Sequence, residues 1–380
     1  MLITKIPFDN TELLRHQTEN EINEIRSNIG RQWDETVRWA SRHDIKTFYK
    51  IDQSENSLAW VISLSYPDAL KIKDQYPFFT YLDELKSERP LAIFNKIRAT
   101  SLKLDDWFSD PEIGNLLGYI LHAKKSQGLR AIWTLLKESK TKSEVLRILK
   151  AKCKELLPVE IGSSRLSELN YDDHKTELFN LFLMLDVAKF LPISGRIASK
   201  YDFDQIVSDN WSIEHIFPQT AQDFKEIEML SNQDLLIIKQ LLPDLKTGSG
   251  LELEYDETIK SLYQKIMASE NECLISKEER NGLSLLLKKN APDLHKLGNL
   301  ALLKQEMNAS LSNHYFDGKR KIIVQKVGQG AFVPFHTYDV FSKLIIDSNT
   351  SLHVWSKEDI VSHEAYIAKQ MQAITDYLTV

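Results

Sequence analysis

Cysteine is scarce in this chain of 380 residues, which contains only Cys153 and Cys273, far apart in the sequence. A zinc knuckle needs cysteines at short spacing, and a disulfide framework needs several pairs, so this usage excludes both. Two isolated cysteines suit a reducing compartment. We therefore expect a cytoplasmic protein.

Long apolar runs and a secretion signal are also lacking. The most apolar stretch, residues 178–191, is interrupted by Asn180, Asp186 and Lys189 and falls short of the ~20 residues that a membrane span needs. We expect a buried helix there and no membrane partner. Residues 1–5 run directly into polar sequence, which is not typical of a signal peptide. No phosphate-binding loop occurs either, so we expect no NTP hydrolysis by this polypeptide.

Net positive charge is the third absence, because the formal net charge is −6. Any contact with nucleic acid must therefore come from a local basic patch. Residues 291–330 supply one. Its basic residues are Lys296, Lys304, Lys319, Arg320, Lys321 and Lys326. The hydrophobic fraction of 42% and the charged fraction of 27% are those of a soluble globular protein of about two or three domains.

Helical patterns dominate the rest of the chain. Residues 12–43 are rich in helix-forming residues, and apolar residues recur at helical spacing over residues 81–147. Pro111 and Gly128 punctuate the second region as helix boundaries. Residues 56–66 are the exception, because their apolar run is also compatible with a strand.

Two separate segments carry a concentration of chemically useful residues. Residues 211–219 read WSIEHIFPQ, an apolar run with β propensity in which a carboxylate and an imidazole stand next to each other shortly before a proline. Residues 295–303 read HKLGNLALL and lead into a polar stretch that contains Asn308. This second segment predicts a short strand followed by a helix.

The two segments resemble the two halves of an HNH, or ββα-metal, site. They are similar to the C-terminal domain of GmrSD-type restriction endonucleases, in which W-x-I-E-H-I-x-x-Q is followed by H-x-L-G-N-L-x-L-L and N-x-x-L-S-N-x-x-F-x-x-K-R. The last pattern is matched by Asn308, Leu311, Ser312, Asn313, Phe316, Lys319 and Arg320.

This resemblance implies a mostly α fold with a small ββα-metal (HNH) core of a β-hairpin plus a helix. Residues 1–170 would form a helical domain like the middle region of GmrSD-type proteins. Residues 171–345 would form the HNH nuclease domain, with a helical insertion at 221–290, and a C-terminal helix within 346–380 would pack on it. The family's ParB-like nucleotide-hydrolysing domain is missing, so we expect a separate or excised sensor domain as a partner.

The resemblance also assigns roles to individual residues. His215 would be the general base, with His295 as its neighbour in the catalytic site. Glu214 and Asn308 would hold Mg²⁺ or Mn²⁺, since carboxylate and amide oxygens are hard donors. Asn299 would hold the loop that orients His215. On a regular strand Glu214 and His215 would point to opposite faces, so we expect the strand to end there.

DNA contacts are expected from Lys296, Lys319, Arg320 and Gln219. The predicted function is metal-dependent hydrolysis of phosphodiester bonds in DNA, with phage or other foreign DNA as the substrate in a bacterial restriction system. A ribonuclease or tRNA-cleaving toxin with the same site is one alternative. A non-catalytic DNA-binding module is another.

Overall fold

The computed structural model describes residues 18–68, 90–158, 164–206, 210–218, 229–230, 257–289, 294–311, 316–345 and 355–379, with the single residues 232, 235, 238, 239 and 314. The chain forms two compact units. One comprises Met1–Leu156, Phe190–Val207 and Leu378–Val380, and the other comprises Leu157–Lys189 and Ser208–Tyr377. The predicted domain boundaries at residues 170 and 345 stay predictions.

The described part of the first unit is helical. Its helices are α1 (Glu19–Ser41), α2 (His43–Phe48), α3 (Ser57–Ser65), α4 (Pro90–Ser109), α5 (Pro111–His122), α6 (Leu129–Leu136) and α7 (Lys142–Leu156). Helix α5 begins where the sequence predicts, because the Asp110 side chain accepts hydrogen bonds from the first turn and Pro111 stands at its first position. A proline is tolerated there because its missing N–H would have no partner within the helix.

Helix α3 replaces the strand that residues 56–66 suggested, so that expectation is wrong. The run Trp60–Ser65 is buried throughout, and a continuous apolar run does not distinguish a buried strand from a buried helix. The decisive residue is Asn56, whose side-chain oxygen accepts hydrogen bonds from two backbone N–H groups of the first turn. Such a cap stabilises a helix start by about 1 kcal/mol.

The second unit combines helices with two small antiparallel sheets. Its helices are α8 (Ser164–Glu168), α9 (Lys175–Val187), α10 (Glu257–Ala268), α11 (Lys277–Lys289), α12 (Gln305–Leu311), α13 (Phe316–Gly328), α14 (Phe335–Phe341) and α15 (Lys357–Thr379). Its strands are β1 (Trp211–His215), β2 (Met229–Leu230), β3 (Cys273–Leu274) and β4 (Leu300–Lys304). Strand β1 pairs with β4, and β2 pairs with β3. This architecture confirms the predicted mostly α fold with a small hairpin and helix core.

Helix α9 is the buried helix that the apolar stretch predicted, since every residue from Leu178 to Val187 is buried. Its one buried carboxylate, Asp186, accepts hydrogen bonds from the backbone N–H groups of Phe335 and His336. These are the first residues of α14, which has no side-chain cap of its own. Asp186 therefore supplies both the missing acceptor and a negative charge at the positive end of α14.

Two further expectations concern the insertion and the membrane. Helices α10 and α11 lie within the helical insertion predicted at 221–290, whereas Met229–Leu230 form strand β2 and most of residues 221–256 fall outside the described residues. Among the helices that the structure describes, none is long and apolar enough to cross a membrane.

Candidate active site

Strands β1 and β4 bring the two motif segments together. In their antiparallel register His215 lies opposite Leu300, and Glu214 lies opposite Ala301. A single turn of 3-10 helix, Leu297–Asn299, leads directly into β4, and helix α12 begins immediately after it. The two halves of the motif therefore form one strand, strand and helix unit, as the sequence predicts.

Asn299 joins the chain that follows β1 to the turn before β4. Its Oδ1 accepts a hydrogen bond from the Phe217 backbone N–H at 2.7 Å, and its Nδ2 donates to the carbonyls of Phe217 and Leu294 at 3.2 and 2.9 Å. The Asn299 carbonyl also accepts from the N–H of Ile216 at 2.8 Å. The side chain is fully buried. It fixes the backbone directly after His215.

Helix α15 supports this turn from the other side. A Cβ atom at Gly298 would overlap the carbonyl oxygen of Ile360, so only glycine allows the helix to approach so closely. The Gly298 carbonyl lies 3.0 Å from Nδ1 of His363, and its N–H donates to the Glu364 carboxylate at 3.3 Å. The position of Asn299 thus depends on the C-terminal helix.

The Glu214 carboxylate is buried against a lysine of helix α13. Nζ of Lys319 donates to Glu214 Oε1 and to the main-chain oxygen of His215, both at 2.5 Å. Only 1% of the Lys319 side chain and 9% of the Glu214 side chain are exposed. Burial raises the pKa of Glu214 above its ordinary value, while the charge and hydrogen bond of Lys319 act in the opposite direction.

Asn308, in helix α12, lies beside the same carboxylate. Its side chain lies close enough to Glu214 to favour the ionised form of that carboxyl, and its Nδ2 donates to Ser212 Oγ at 3.0 Å. Ser212 and Glu214 share a face of β1 because side chains alternate along a strand. A hydroxyl both donates and accepts, so Ser212 can bond either end of the Asn308 amide. A 180° rotation of the Asn308 side-chain amide would turn Oδ1 towards Glu214 and would keep the hydrogen bond with Ser212.

The His215 imidazole packs against two other aromatic rings. Its ring centroid lies 4.4 Å from that of Tyr171 and 5.3 Å from that of His295. Burial lowers the pKa of His215 to about 3, and the nearby His295, Lys319 and Lys175 act in the same direction. The imidazole is therefore neutral at physiological pH, which is the protonation state that a general base requires.

A cavity of about 410 Å³ joins these groups. It is lined by Tyr171, Ser212, Ile213, Glu214, His215, Pro218, Gln305, Asn308, Ala309 and Lys319. Glu214 and His215 both reach it although they are consecutive, and His215 is the last residue of β1. The strand therefore ends where the sequence predicts, and consecutive side chains face one cavity.

His295 and Lys296 lie beside this cavity without lining it. The carbonyl oxygen of His295 accepts a hydrogen bond from the Tyr171 N–H at 3.1 Å, and its Nδ1 is 3.6 Å from an oxygen of Asp172. Lys296 is exposed and forms an isolated bridge with Asn170. The structure thus brings His295 next to His215 and leaves Lys296 on the surface near the site.

The other residues that were predicted to contact DNA lie in different surroundings. Lys319, which was predicted to contact DNA, belongs to the buried face of α13 and pairs with Glu214 on the cavity wall. Arg320 is half-buried and is not among the residues that line the cavity. Gln219 lies outside the described residues.

Two cavity residues were not predicted from the sequence. Tyr171 stands in a turn before α9, 44 positions ahead of His215 in the numbering, and nothing in its local sequence marks it. Ser212 is part of the motif, but the motif alone does not show that its hydroxyl contacts Asn308. Lys319 did carry a signal, because it is spaced from the buried residues Phe316 and Ile323 as one face of a helix requires.

Residues 287–370 match the family model of the C-terminal domain of GmrSD restriction endonucleases. The matched range contains His295, Asn299, Asn308 and Lys319. Strand β1 precedes the range and pairs with β4 inside it. Comparison with curated proteins and with solved structures finds no match.

Proposed function

We propose that this chain is a divalent-metal-dependent DNA endonuclease that hydrolyses phosphodiester bonds in the cavity beside β1. The observation that carries the proposal is the meeting of Glu214, His215 and Asn308 around one cavity, although they come from distant parts of the sequence. The similarity of residues 287–370 to a restriction endonuclease domain supports the same reaction class.

His215 is the general base of this proposal. One ring nitrogen takes a proton from a water molecule as the water oxygen forms a bond to phosphorus. The bond from phosphorus to the 3′ oxygen breaks, and that oxygen leaves and takes up a proton. A positioned base of this kind contributes roughly 10²–10⁴-fold to the rate. Asn299 contributes by fixing the backbone after His215, so that the ring keeps its direction.

The oxygen donors at the cavity fit a hard divalent cation. Glu214 and Asn308 both line the cavity, and carboxylate and amide oxygens suit Mg²⁺ or Mn²⁺. In the part of the chain that the structure describes, no group of three or more His, Cys, Asp or Glu side chains is placed to hold a metal. Glu214 and Asn308 would therefore hold the ion together with phosphate and water oxygens. When bound, the ion would stabilise negative charge at the phosphate.

The proposed substrate is phage or other foreign DNA, because the matched family consists of restriction endonucleases. In this role the chain would be the effector of a bacterial defence system. Recognition of the target would then come from a separate or excised partner such as a ParB-like sensor domain.

A substrate panel tests the proposal. Supercoiled plasmid, single-stranded DNA and tRNA are incubated with the protein and Mg²⁺ or Mn²⁺, with EDTA as the control. We expect cleavage of the plasmid that EDTA abolishes. Cleavage of tRNA alone would assign a ribonuclease instead, and binding of DNA without cleavage would assign a non-catalytic module.

A further inference from the structure

The buried pair of Lys319 and Glu214 is unusual in its position. A second buried pair of the same kind, Lys343 and Asp359, lies in the same unit at 2.9 Å and is equally well shielded. That second pair stands against the rings of Phe316 and Trp355 and does not line the cavity. A buried ion pair is weak evidence for stability, since apolar residues often replace one without loss. The pair on the cavity wall thus calls for a reason beyond folding.

We propose that Lys319 is a positioning residue that makes cation binding at Glu214 depend on the phosphate of bound DNA. This inference rests on the proposed function and deepens it. The carboxylate of Glu214 already has a cationic partner within the protein, because the Lys319 ammonium donates to Oε1. An approaching cation therefore meets a carboxylate whose charge an ammonium already neutralises.

The balance of charge changes when DNA enters. Without DNA, the cation and the Lys319 ammonium are like charges on one carboxylate, and their repulsion is strong because the site is largely shielded from water. A phosphate group in the cavity adds a negative charge beside both of them and supplies further oxygen ligands. The site then accepts the cation together with its substrate.

The same ammonium also holds the end of β1. Its bond to the His215 carbonyl oxygen fixes the backbone between the two reacting side chains, while the bond to Oε1 fixes the carboxylate. Lys319 thus acts on Glu214 and His215 at once.

The first experiment measures Mn²⁺ binding by electron paramagnetic resonance. The His215→Ala variant keeps Glu214, Asn308 and Lys319 and leaves DNA uncut, so binding is measured with and without a DNA duplex. We expect DNA to tighten Mn²⁺ binding by about tenfold or more. Equal binding with and without DNA would overturn the inference, and this measurement needs no change at Lys319.

The second experiment removes the ammonium in the same His215→Ala background. Lys319→Met keeps the length of the side chain, and Lys319→Gln is a neutral variant that keeps a hydrogen-bond donor. Both should tighten Mn²⁺ binding in the absence of DNA by about tenfold, so that the DNA dependence becomes smaller than in His215→Ala alone and reflects the oxygen ligands that the phosphate supplies. The matched control is Lys343→Met, which removes the other buried ammonium and should leave the DNA dependence unchanged. Weaker or unchanged Mn²⁺ binding in both folded Lys319 variants would contradict the inference.

The outcomes separate this inference from the proposed function. If the wild-type protein does not cleave DNA with any divalent cation, the proposed function fails. If it cleaves DNA, and His215→Ala binds Mn²⁺ equally well with and without DNA, only the role of Lys319 fails.

Discussion

Glu214 and His215 are consecutive residues, yet the fold surrounds them with opposite kinds of neighbours. Glu214 lies beside an ammonium and an amide from helices α13 and α12. His215 is held between the rings of Tyr171 and His295, and its backbone is followed by the Asn299 contacts. One strand end therefore presents a carboxylate side and an imidazole side to one cavity.

One short strand therefore supplies side chains for two different chemical roles. The carboxylate side is polar and already hydrogen-bonded, which suits a group that binds a cation. The imidazole side is ring-lined and keeps the histidine neutral, which suits a group that accepts a proton. Changes on the two sides should consequently affect different measured quantities.

The largest effect is expected on the imidazole side. His215→Ala should lower the rate of plasmid cleavage by roughly 10²–10⁴-fold, because it removes the proton acceptor. The ring is buried against Tyr171 and His295, so the Tm should also fall, and cleavage is compared at a temperature at which both proteins are folded. The matched control is His314→Ala, because His314 is exposed and does not line the cavity. Cleavage by His215→Ala at the wild-type rate would show that the site is assigned wrongly.

Changes on the carboxylate side should alter the need for metal first. Glu214→Gln removes the negative charge of one proposed ligand, and Asn308→Ala removes the other proposed ligand. The Mg²⁺ concentration for half-maximal cleavage should therefore rise by about tenfold or more in each variant. A titration of cleavage rate against Mg²⁺ measures this shift. If both variants show the wild-type Mg²⁺ dependence, shared coordination is excluded.

The two asparagines should differ in how much they contribute to the free energy of unfolding. Asn299→Ala leaves the buried Phe217 N–H and two carbonyls without their partner, and should reduce the free energy of unfolding by about 2–3 kcal/mol. Asn308→Ala should cost less than about 1 kcal/mol, because Asn308 is only half-buried. Urea unfolding of both variants gives the two values. Equal losses would mean that Asn299 does not tie the loop together.

Acid should also reduce the free energy of unfolding. His336 and His363 are buried with their Nε2 atoms 3.0 Å apart, and burial lowers the pKa of His363 to about 4 from an ordinary value of 6.5. Burial also lowers the pKa of His336. Between pH 4 and pH 6.5 the histidine binds a proton in the unfolded protein but not in the native protein. The free energy of unfolding therefore keeps its full value above pH 6.5 and falls as the pH drops towards 4.

The slope of this loss is about 1 kcal/mol per pH unit for each histidine. Urea unfolding at a series of pH values measures it, and His363→Gln should flatten the dependence. His363 supports the turn that contains Asn299, so acid should weaken the imidazole side of the site. A flat wild-type profile over this range would contradict the explanation.

Much of the site could be predicted from the sequence because its parts are local. The apolar run of residues 211–217, broken by Glu214 and His215, gave β1, and the run after Gly298 gave β4 and the start of α12. Strand periodicity and turn chemistry act over a few residues, so these patterns are visible without a structure. The adjacency of the two segments followed only from their resemblance to a known family.

The contacts that could not be predicted join residues that are distant in sequence. Glu214 and Lys319 are separated by 105 positions, and a charged residue on a helix is usually solvated. The burial of Lys319 depends on where α13 lies against β1, which no local pattern fixes. The error at residues 56–66 has a similar cause, since the helix there is buried on all sides and shows neither helical nor strand periodicity.

The position of the bound cation decides whether Glu214 and Asn308 share it. Crystals of His215→Ala with a DNA duplex and Mn²⁺ are examined for the anomalous scattering of manganese. We predict one strong peak about 2.0–2.6 Å from an oxygen of Glu214 and from Oδ1 of Asn308, with a DNA phosphate beside it and residue 215 facing that phosphate. A manganese ion bound elsewhere, with Glu214 contacted only by Lys319 and Asn308, would contradict the account.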